Sequence, residues 1–183
     1  MKNKSTSNLE IINACKEIFK EKGLNSLNMR EVASRCNVAL GSIYNYYPSK
    51  SMLLLDTIDS IWKEILHKFN FEGNRFDEKV RDLFYLIQER SESYPDFFNV
   101  HVYILPKMEK VRGRAAMEKY FQNIKNKLLD CLNQDKEVNP VFFNEEMTKE
   151  QFVEFVFDNL INLLLRKQDN CDGLLYVIRR CIY

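Results

Sequence analysis

Apolar residues recur every three or four positions along nearly the whole 183-residue chain, and only five Gly and four Pro interrupt them. Such spacing puts the apolar positions on one face of a helix, whereas half-buried strands would need strict alternation. With so few turn-forming residues, a sandwich or barrel of short strands is excluded. The chain is therefore expected to be all-α, with about nine helices. These run from about Ser7 to Lys22, Asn28 to Cys36, Leu40 to Tyr46, Lys50 to Lys68, Asp77 to Ser93, Asp96 to Leu105, Lys110 to Asn133, Thr148 to Lys167, and from Asp172 onward.

Local chemistry sets the expected ends. In the first helix Leu9, Ile12, Cys15 and Phe19 form the inward stripe, with Ile11 and Ile18 beside it, and Gly23 supplies a left-handed end. Asn28-Met-Arg-Glu31 and Thr148-Lys-Glu-Gln151 have the form of capping boxes. Asn37 tolerates a left-handed turn, and Pro48 stops the third helix because the residue before a proline avoids helical angles. Ser49 caps the fourth helix, which Gly73-Asn74 breaks.

Composition narrows the class. Charged residues make up 29% and apolar residues 45%, a globular profile, and no apolar run exceeds five residues, so no transmembrane helix is present. The polar start Met1–Ser7 has no apolar stretch after it, so no secretory signal is expected. Five cysteines without C-x-x-C spacing read as free thiols, which fits the cytoplasm. The formal net charge of +1 argues against a polyanion partner until it is mapped. Residues 1–50 carry eight Lys/Arg against four Asp/Glu, and residues 51–183 carry 19 against 22. A head of +4 beside a body of −3 places any anionic partner at the head.

Met29 to Lys50 is the informative stretch. Two short helices joined by a tight turn must cross steeply. Ala33 is small where they approach, and Val32, Cys36, Val38 and Ile43 are apolar where the pair faces its core. These offsets are those of a helix-turn-helix, whose second helix enters the DNA major groove. The stretch also resembles the TetR family of bacterial transcriptional regulators. The resemblance rests on Ile18-Phe19, Gly23, Met29-Arg-Glu-Val-Ala33, Val38-Ala-Leu-Gly-Ser-Ile-Tyr-Asn-Tyr-Tyr47, Ser49-Lys50 and Leu53-Leu54. It covers about residues 8–57. It implies a DNA-binding domain over 1–48 and an effector-binding and dimerisation domain over 49–183.

The residues suggest roles. Gly41 lets the backbone approach DNA, and the hydroxyls of Tyr44 and Tyr46 can reach phosphates. Lys50 adds a cation to a helix N-terminus. Asn28 and Arg30 are further candidates, with Asn28 either a cap or a phosphate contact and Tyr46 either packed or a contact. Base reading falls to Leu40, Ser42 and Asn45, of which Asn can pair with adenine and Leu only touch a thymine methyl. Ala39 and Leu40 depart from the polar residues usual in the family, and Pro48 from a usual polar one.

In the body, Glu150–Leu165 holds ten apolar residues of sixteen, more than one buried stripe needs. This helix and the last one are expected to pair with their copies across a two-fold axis through Phe152, Phe155, Val156, Leu160, Leu163, Leu164, Leu175, Ile178 and Ile182. The resemblance implies the same homodimer, on a palindromic double-stranded DNA operator. It also implies a small, apolar or aromatic effector held by the middle helices, for which Trp62, Phe84, Gln88, Phe97, Phe98, His101, Tyr103, Tyr120 and Phe121 are candidates. Bound effector would release the DNA, making the protein a repressor. The alternative is a DNA-binding module or activator whose body takes a protein partner. No membrane partner, cofactor or metal is expected. His67 and His101 lack metal-ligand spacing, and no G-x-S-x-G, H-E-x-x-H or phosphate loop occurs, so catalysis is not expected.

Overall fold

Ser7 fixes where the first helix begins. Its hydroxyl accepts the Glu10 N–H at 3.2 Å while the Glu10 carboxylate takes the Ser7 N–H at 3.0 Å, a reciprocal cap. From this start α1 (Asn8–Lys22) buries Ile11, Ile12, Cys15, Ile18 and Phe19. The expected stripe is corrected at Leu9, which is exposed. The buried set centres on Cys15, and at about 100° per residue Leu9 lies roughly 120° from that centre. Gly23 ends α1 at φ 75°, ψ 168°, a positive φ as glycine allows, though extended rather than left-handed helical.

The computed structural model describes residues 6–73, 75–95, 97–98 and 112–183, without the side chains of Leu24, residues 112–117 and Lys119. Among these residues there are eight α-helices and no strand. After α1 come α2 (Met29–Arg35), α3 (Leu40–Tyr46), α4 (Lys50–Ile65), α5 (Phe76–Ser91), α6 (Arg112–Gln134), α7 (Lys149–Leu165) and α8 (Asp172–Ile182). The all-α expectation holds, and eight of the nine expected helices are found among the described residues. Most of the expected segment from Asp96 to Leu105 lies outside the described residues.

Two compact units divide the chain. The first holds residues up to Ile65 together with Ser91–Met117, and the second holds Leu66–Arg90 and Glu118–Tyr183. The first unit thus includes α4, which packs on α1. Leu53, Leu54, Ile58, Ile61, Trp62 and Ile65 of α4 are all buried. The chain after α5 returns to this unit. Phe97 sets its ring 5.2 Å from Trp62, and the Tyr94 hydroxyl reaches Glu64 at 3.0 Å. Glu64 also takes Lys16 at 2.9 Å.

The expected end of α4 is corrected too. The helix stops at Ile65, well before Gly73, and Lys68 takes the left-handed φ of 60°. The His67 carbonyl accepts from the Arg90 guanidinium at 2.7 Å, which satisfies a group the unwound turn exposes. Phe69 accordingly leaves the helical stripe and stands edge-on to Phe71 at 4.7 Å.

The second unit is built on α5 from Phe76, α6 from Glu118, α7 and α8. Its core includes Phe76, Val80, Leu83, Phe84, Ile87, Leu128, Leu132, Phe152, Val156, Phe157, Leu160, Ile178 and Ile182. Thr148 and Gln151 form the expected capping box of α7. Asp77, fully buried, takes Arg75 at 3.0 Å and Arg179 at 2.6 Å, so it links the start of α5 to α8. Burial alone would raise its carboxyl, but the hydrogen bonds from Arg179 and Arg75 more than offset this and hold it below the usual carboxylate range. Beside it the Phe76 N–H donates to Asp135 at 2.8 Å, and the Tyr183 hydroxyl donates to the same carboxylate.

Candidate nucleic-acid interface

The turn between α2 and α3 is fixed by Asn37, whose φ is 54°, a conformation that few residues without glycine's freedom adopt. There the Asn37 N–H reaches the Ser34 carbonyl and the Val38 N–H the Ala33 carbonyl, both at 3.0 Å, closing α2. Ala33, Val32 and Ile43 are buried in the seam of the two helices. The packing of α2 on α3 expected from the sequence is therefore present.

At the start of α2, Asn28 is a cap: its side-chain carbonyl accepts the Arg30 N–H at 2.9 Å. The expected capping box is corrected, because Glu31 turns to Lys22 at 2.6 Å and Arg35 at 3.2 Å instead of back to Asn28. Arg35 also grips Glu21 with two bonds, at 2.8 and 2.5 Å. Lys22 and Arg35 hold the Glu31 carboxyl below its ordinary range, and Arg35 does the same to Glu21.

The helix α3 has an inner and an outer side. Ile43 is wholly buried, and Tyr47 follows it four residues on, buried as well. Burial, with Asp56 nearby, pushes the Tyr47 phenol up to about 12. At about 100° per residue, Gly41 and Asn45 lie nearly opposite Ile43, and both are exposed. Tyr44 is exposed on one flank of this ridge and Ser42 half-buried on the other. Leu40 is half-buried toward the inner side, so a thymine methyl is less open to it than the ridge is to bases. Gly41 needs no glycine for the chain's own sake, since a Cβ there would meet no atom within 4 Å. Tyr46 gives its hydroxyl proton to the Thr6 carbonyl at 2.5 Å, a bond the sequence alone does not reveal.

Pairing selects which cations are left for a ligand. In this head Lys16 binds Glu64, Lys22 binds Glu31, Arg35 binds Glu21, and Lys20 lies 5.2 Å from the centre of the Tyr94 ring. Arg30 and Lys50 are exposed and make no ion pair or ring contact among the described residues. Lys50 opens α4, next to Ser49, whose hydroxyl caps that helix by accepting the Met52 N–H at 3.2 Å. Arg30 and Lys50 thus stand on the first turns of α2 and α4 as cations without a carboxylate partner among the described residues.

The body residues fall differently. The first unit holds Trp62, Phe97 and Phe98, with Phe98 6.3 Å from Trp62. The second holds Phe84, Gln88, Tyr120 and Phe121, where Phe121 stands 5.2 Å from Phe157 and Gln88 donates to the Gln168 carbonyl at 3.1 Å. His101 and Tyr103 lie outside the described residues. A cleft of about 340 Å³ in the second unit, open to solvent, is lined by Phe69, Asn70, Phe71, Glu72, Lys127, Asp130, Cys131 and Gln134, none of them an expected effector residue. Of the expected pairing residues, Phe152, Val156, Leu160, Leu164, Leu175, Ile178 and Ile182 are buried within the chain itself. Phe155 is exposed and Leu163 half-buried, and Tyr176 and Val177 of the last helix are large exposed residues.

Two short helices joined by a tight turn, packed on each other and on the first helix, with an exposed ridge on the second, have the form of a helix-turn-helix. Residues 11–57 match the family model described as bacterial regulatory proteins, tetR family. Over this segment the chain is similar to that family. The regulator UidR of Escherichia coli is 32% identical over 82 residues, covering 43% of this chain and 42% of the relative. An uncharacterized regulator, YuxN of Bacillus subtilis, is 39% identical over 49 residues, 27% of this chain and 17% of its own length. The matches thus span less than two thirds of these relatives. Among solved structures, BioQ with its double-stranded DNA operator aligns with a TM-score of 0.68 at 14% identity, over 96% of this chain and 98% of BioQ. Thermus thermophilus FadR in complex with lauroyl-CoA aligns with a TM-score of 0.63 at 22% identity, over 95% and 90%. At such identities the likeness is one of fold.

No helix among the described residues is long and apolar enough to cross a membrane, and none of their His, Cys, Asp and Glu side chains form a group of three or more that could hold a metal.

Proposed function

We propose that the chain is a homodimeric repressor that binds a palindromic operator and lets go of it when a small molecule occupies its body. The observation that carries this reading is the outer side of α3. Gly41, Tyr44 and Asn45 are exposed together, and Arg30 and Lys50, on the first turns of α2 and α4, are exposed without ion pairs among the described residues. Asn45 reads bases, Gly41 admits the backbone, and Tyr44, Arg30 and Lys50 hold phosphates. Residues 1–48 serve DNA, and residues 49–183 serve pairing and the effector.

Pairing is supported by the outer sides of α7 and α8, where Phe155, Tyr176 and Val177 are exposed apolar or aromatic groups. The two-fold axis relates two heads, so the operator is an inverted repeat with half-sites one helical turn or more apart. Effector release is supported by the FadR likeness, since that protein's structure holds lauroyl-CoA. Linkage then requires the effector to bind the DNA-free form more tightly.

Selection of bound duplexes from random DNA tests the reading. Enrichment of an inverted repeat is the expected outcome, and recovery of no enriched sequence from a folded protein overturns it.

A further inference from the structure

Three side chains tether the C-terminal half of α3, and they do different jobs. Ile43 is wholly buried, and Tyr47, four residues on, is buried with Asp56 beside its phenol. Four residues at about 100° each return to within about 40° of the start, so these two anchors lie nearly on one line along the helix. A helix held on one line alone can still roll about it. The third tether stands off that line. Tyr46, the last residue of α3, gives its hydroxyl proton to the Thr6 carbonyl at 2.5 Å.

The acceptor is itself fixed. Thr6 is buried, and the next residue, Ser7, is locked into the reciprocal cap of α1 with Glu10. The bond therefore joins the end of α3 to the start of α1, 40 positions apart in the chain. A phenol has one proton and a phosphate oxygen only accepts, so a Tyr46 bonded to Thr6 has no donor left for DNA. What the bond controls is aim. Asn45 is exposed nearly opposite Ile43, about one helix diameter from the anchor line, roughly 10 Å with side chains. A roll of about 10° moves its amide by about 1–2 Å, enough to break a base hydrogen bond.

We propose that Tyr46 is a positioning residue of the DNA interface: its hydroxyl sets the roll of α3, and thereby the aim of Asn45, and makes no phosphate contact. This rests on the DNA-binding reading above. The sequence leaves Tyr46 open between packing and phosphate, and the bond to Thr6 gives it a third role. Losing the hydroxyl costs discrimination between sequences and spares the electrostatic part of binding, because bases carry the sequence and phosphates the salt dependence.

Fluorescence anisotropy titrations on the duplex enriched by selection, and on a random duplex of the same length, test the proposal at several salt concentrations. The proteins are the parent, Tyr46→Phe, Asn45→Ala and the double variant, each checked by thermal unfolding. Tyr46→Phe is expected to lower the preference for the selected duplex about tenfold, the weight of one good base contact, with the slope of log K against log salt unchanged. In the Asn45→Ala background the same change is expected to cost nothing further. A slope flattened by about 0.9 per head puts the phenol on a phosphate and overturns the proposal. An unchanged preference, or an equal further loss without Asn45, overturns it as well. Ser7→Ala keeps Tyr46 and loosens only the Thr6 end of the bond. It is expected to lower the preference with the slope unchanged, and if Tyr46→Phe does not fold, a Ser7→Ala preference equal to the parent's overturns the proposal instead. A folded parent that binds no duplex, or prefers none, overturns the DNA-binding reading itself. A parent and a Tyr46→Phe variant that discriminate equally remove only the positioning role.

Discussion

Replacing Gly41 with alanine is expected to strengthen the fold and weaken DNA binding at the same time. The backbone at Gly41 lies within α3 and is absent from the positive-φ positions, so alanine meets no conformational barrier. A Cβ there touches nothing within 4 Å. Inside a helix, alanine is better than glycine by up to about 1 kcal/mol. Gly41 is only the second residue of a seven-residue helix, so about half of that applies. For a chain of this size that is a rise in Tm of about 1–2 °C.

The loss on DNA comes from geometry. Gly41 and Asn45 are four residues apart on the ridge opposite buried Ile43, so whatever presses on the ridge meets both. A methyl group at position 41 makes the helix stand off by roughly 1 Å, enough to stretch a hydrogen bond from Asn45 beyond its useful range. A good base contact is worth about 1–3 kcal/mol, so about a tenfold loss is expected for Gly41→Ala and about a hundredfold for Gly41→Leu. Anisotropy titration on the selected duplex and thermal unfolding on the same samples read the two effects. An alanine variant that binds as tightly as the parent refutes the close approach. A lowered Tm would show instead that glycine serves the fold.

Three further outcomes are expected. Arg30→Ala and Lys50→Ala should each reduce the salt slope of DNA binding by about 0.9 per head and weaken all sequences alike, which titration at several salt concentrations checks; loss confined to one sequence would mean base reading instead. Phe155→Asp with Val177→Asp should turn a dimer into a folded monomer in sedimentation at micromolar concentration, whereas an unchanged dimer would place the pairing face elsewhere. Asp77→Asn should cost about 2–3 kcal/mol at neutral pH, less than a fully buried pair because both arginines are partly exposed. Because the folded-state carboxyl is depressed, its contribution is full above the unfolded value near pH 4 and fades as pH falls through the lower folded value. Denaturant curves for parent and variant should therefore converge in acid, and a constant gap down to about pH 2 would sink the ion-pair account.

The head was legible because its punctuation is local. Asn37 at positive φ, Ser7 and Ser49 as caps, and Gly23 past α1 each act on backbone groups a few residues away, so short windows of sequence contain the whole cause. The end of α4 escaped because its stop has no such sign: Lys68 carries the positive φ, and Phe69 continues the apolar spacing past the true end. The outer side of α7 is hard to read from the sequence for a different reason. In α7 apolar residues nearly encircle the helix, and periodicity cannot separate those that fill the chain's own core from Phe155, which stands exposed beside Glu154 and Asp158. Glu31 and Gln151 make the physical limit plain. Both stand three residues after a capping residue, yet only Gln151 folds back on its cap, because a neutral amide has no stronger claim on it. Glu31 lies between Lys22 and Arg35, one of them from the preceding helix, and a charge-assisted bond outweighs a reciprocal cap. The same competition that drew Glu31 off its cap also neutralised Lys22 and Arg35, which leaves for a ligand the cations whose neighbours offer no carboxylate. Among the described residues Arg30 and Lys50 meet that condition only after folding, although the bare sequence weights all eight basic residues of the head equally.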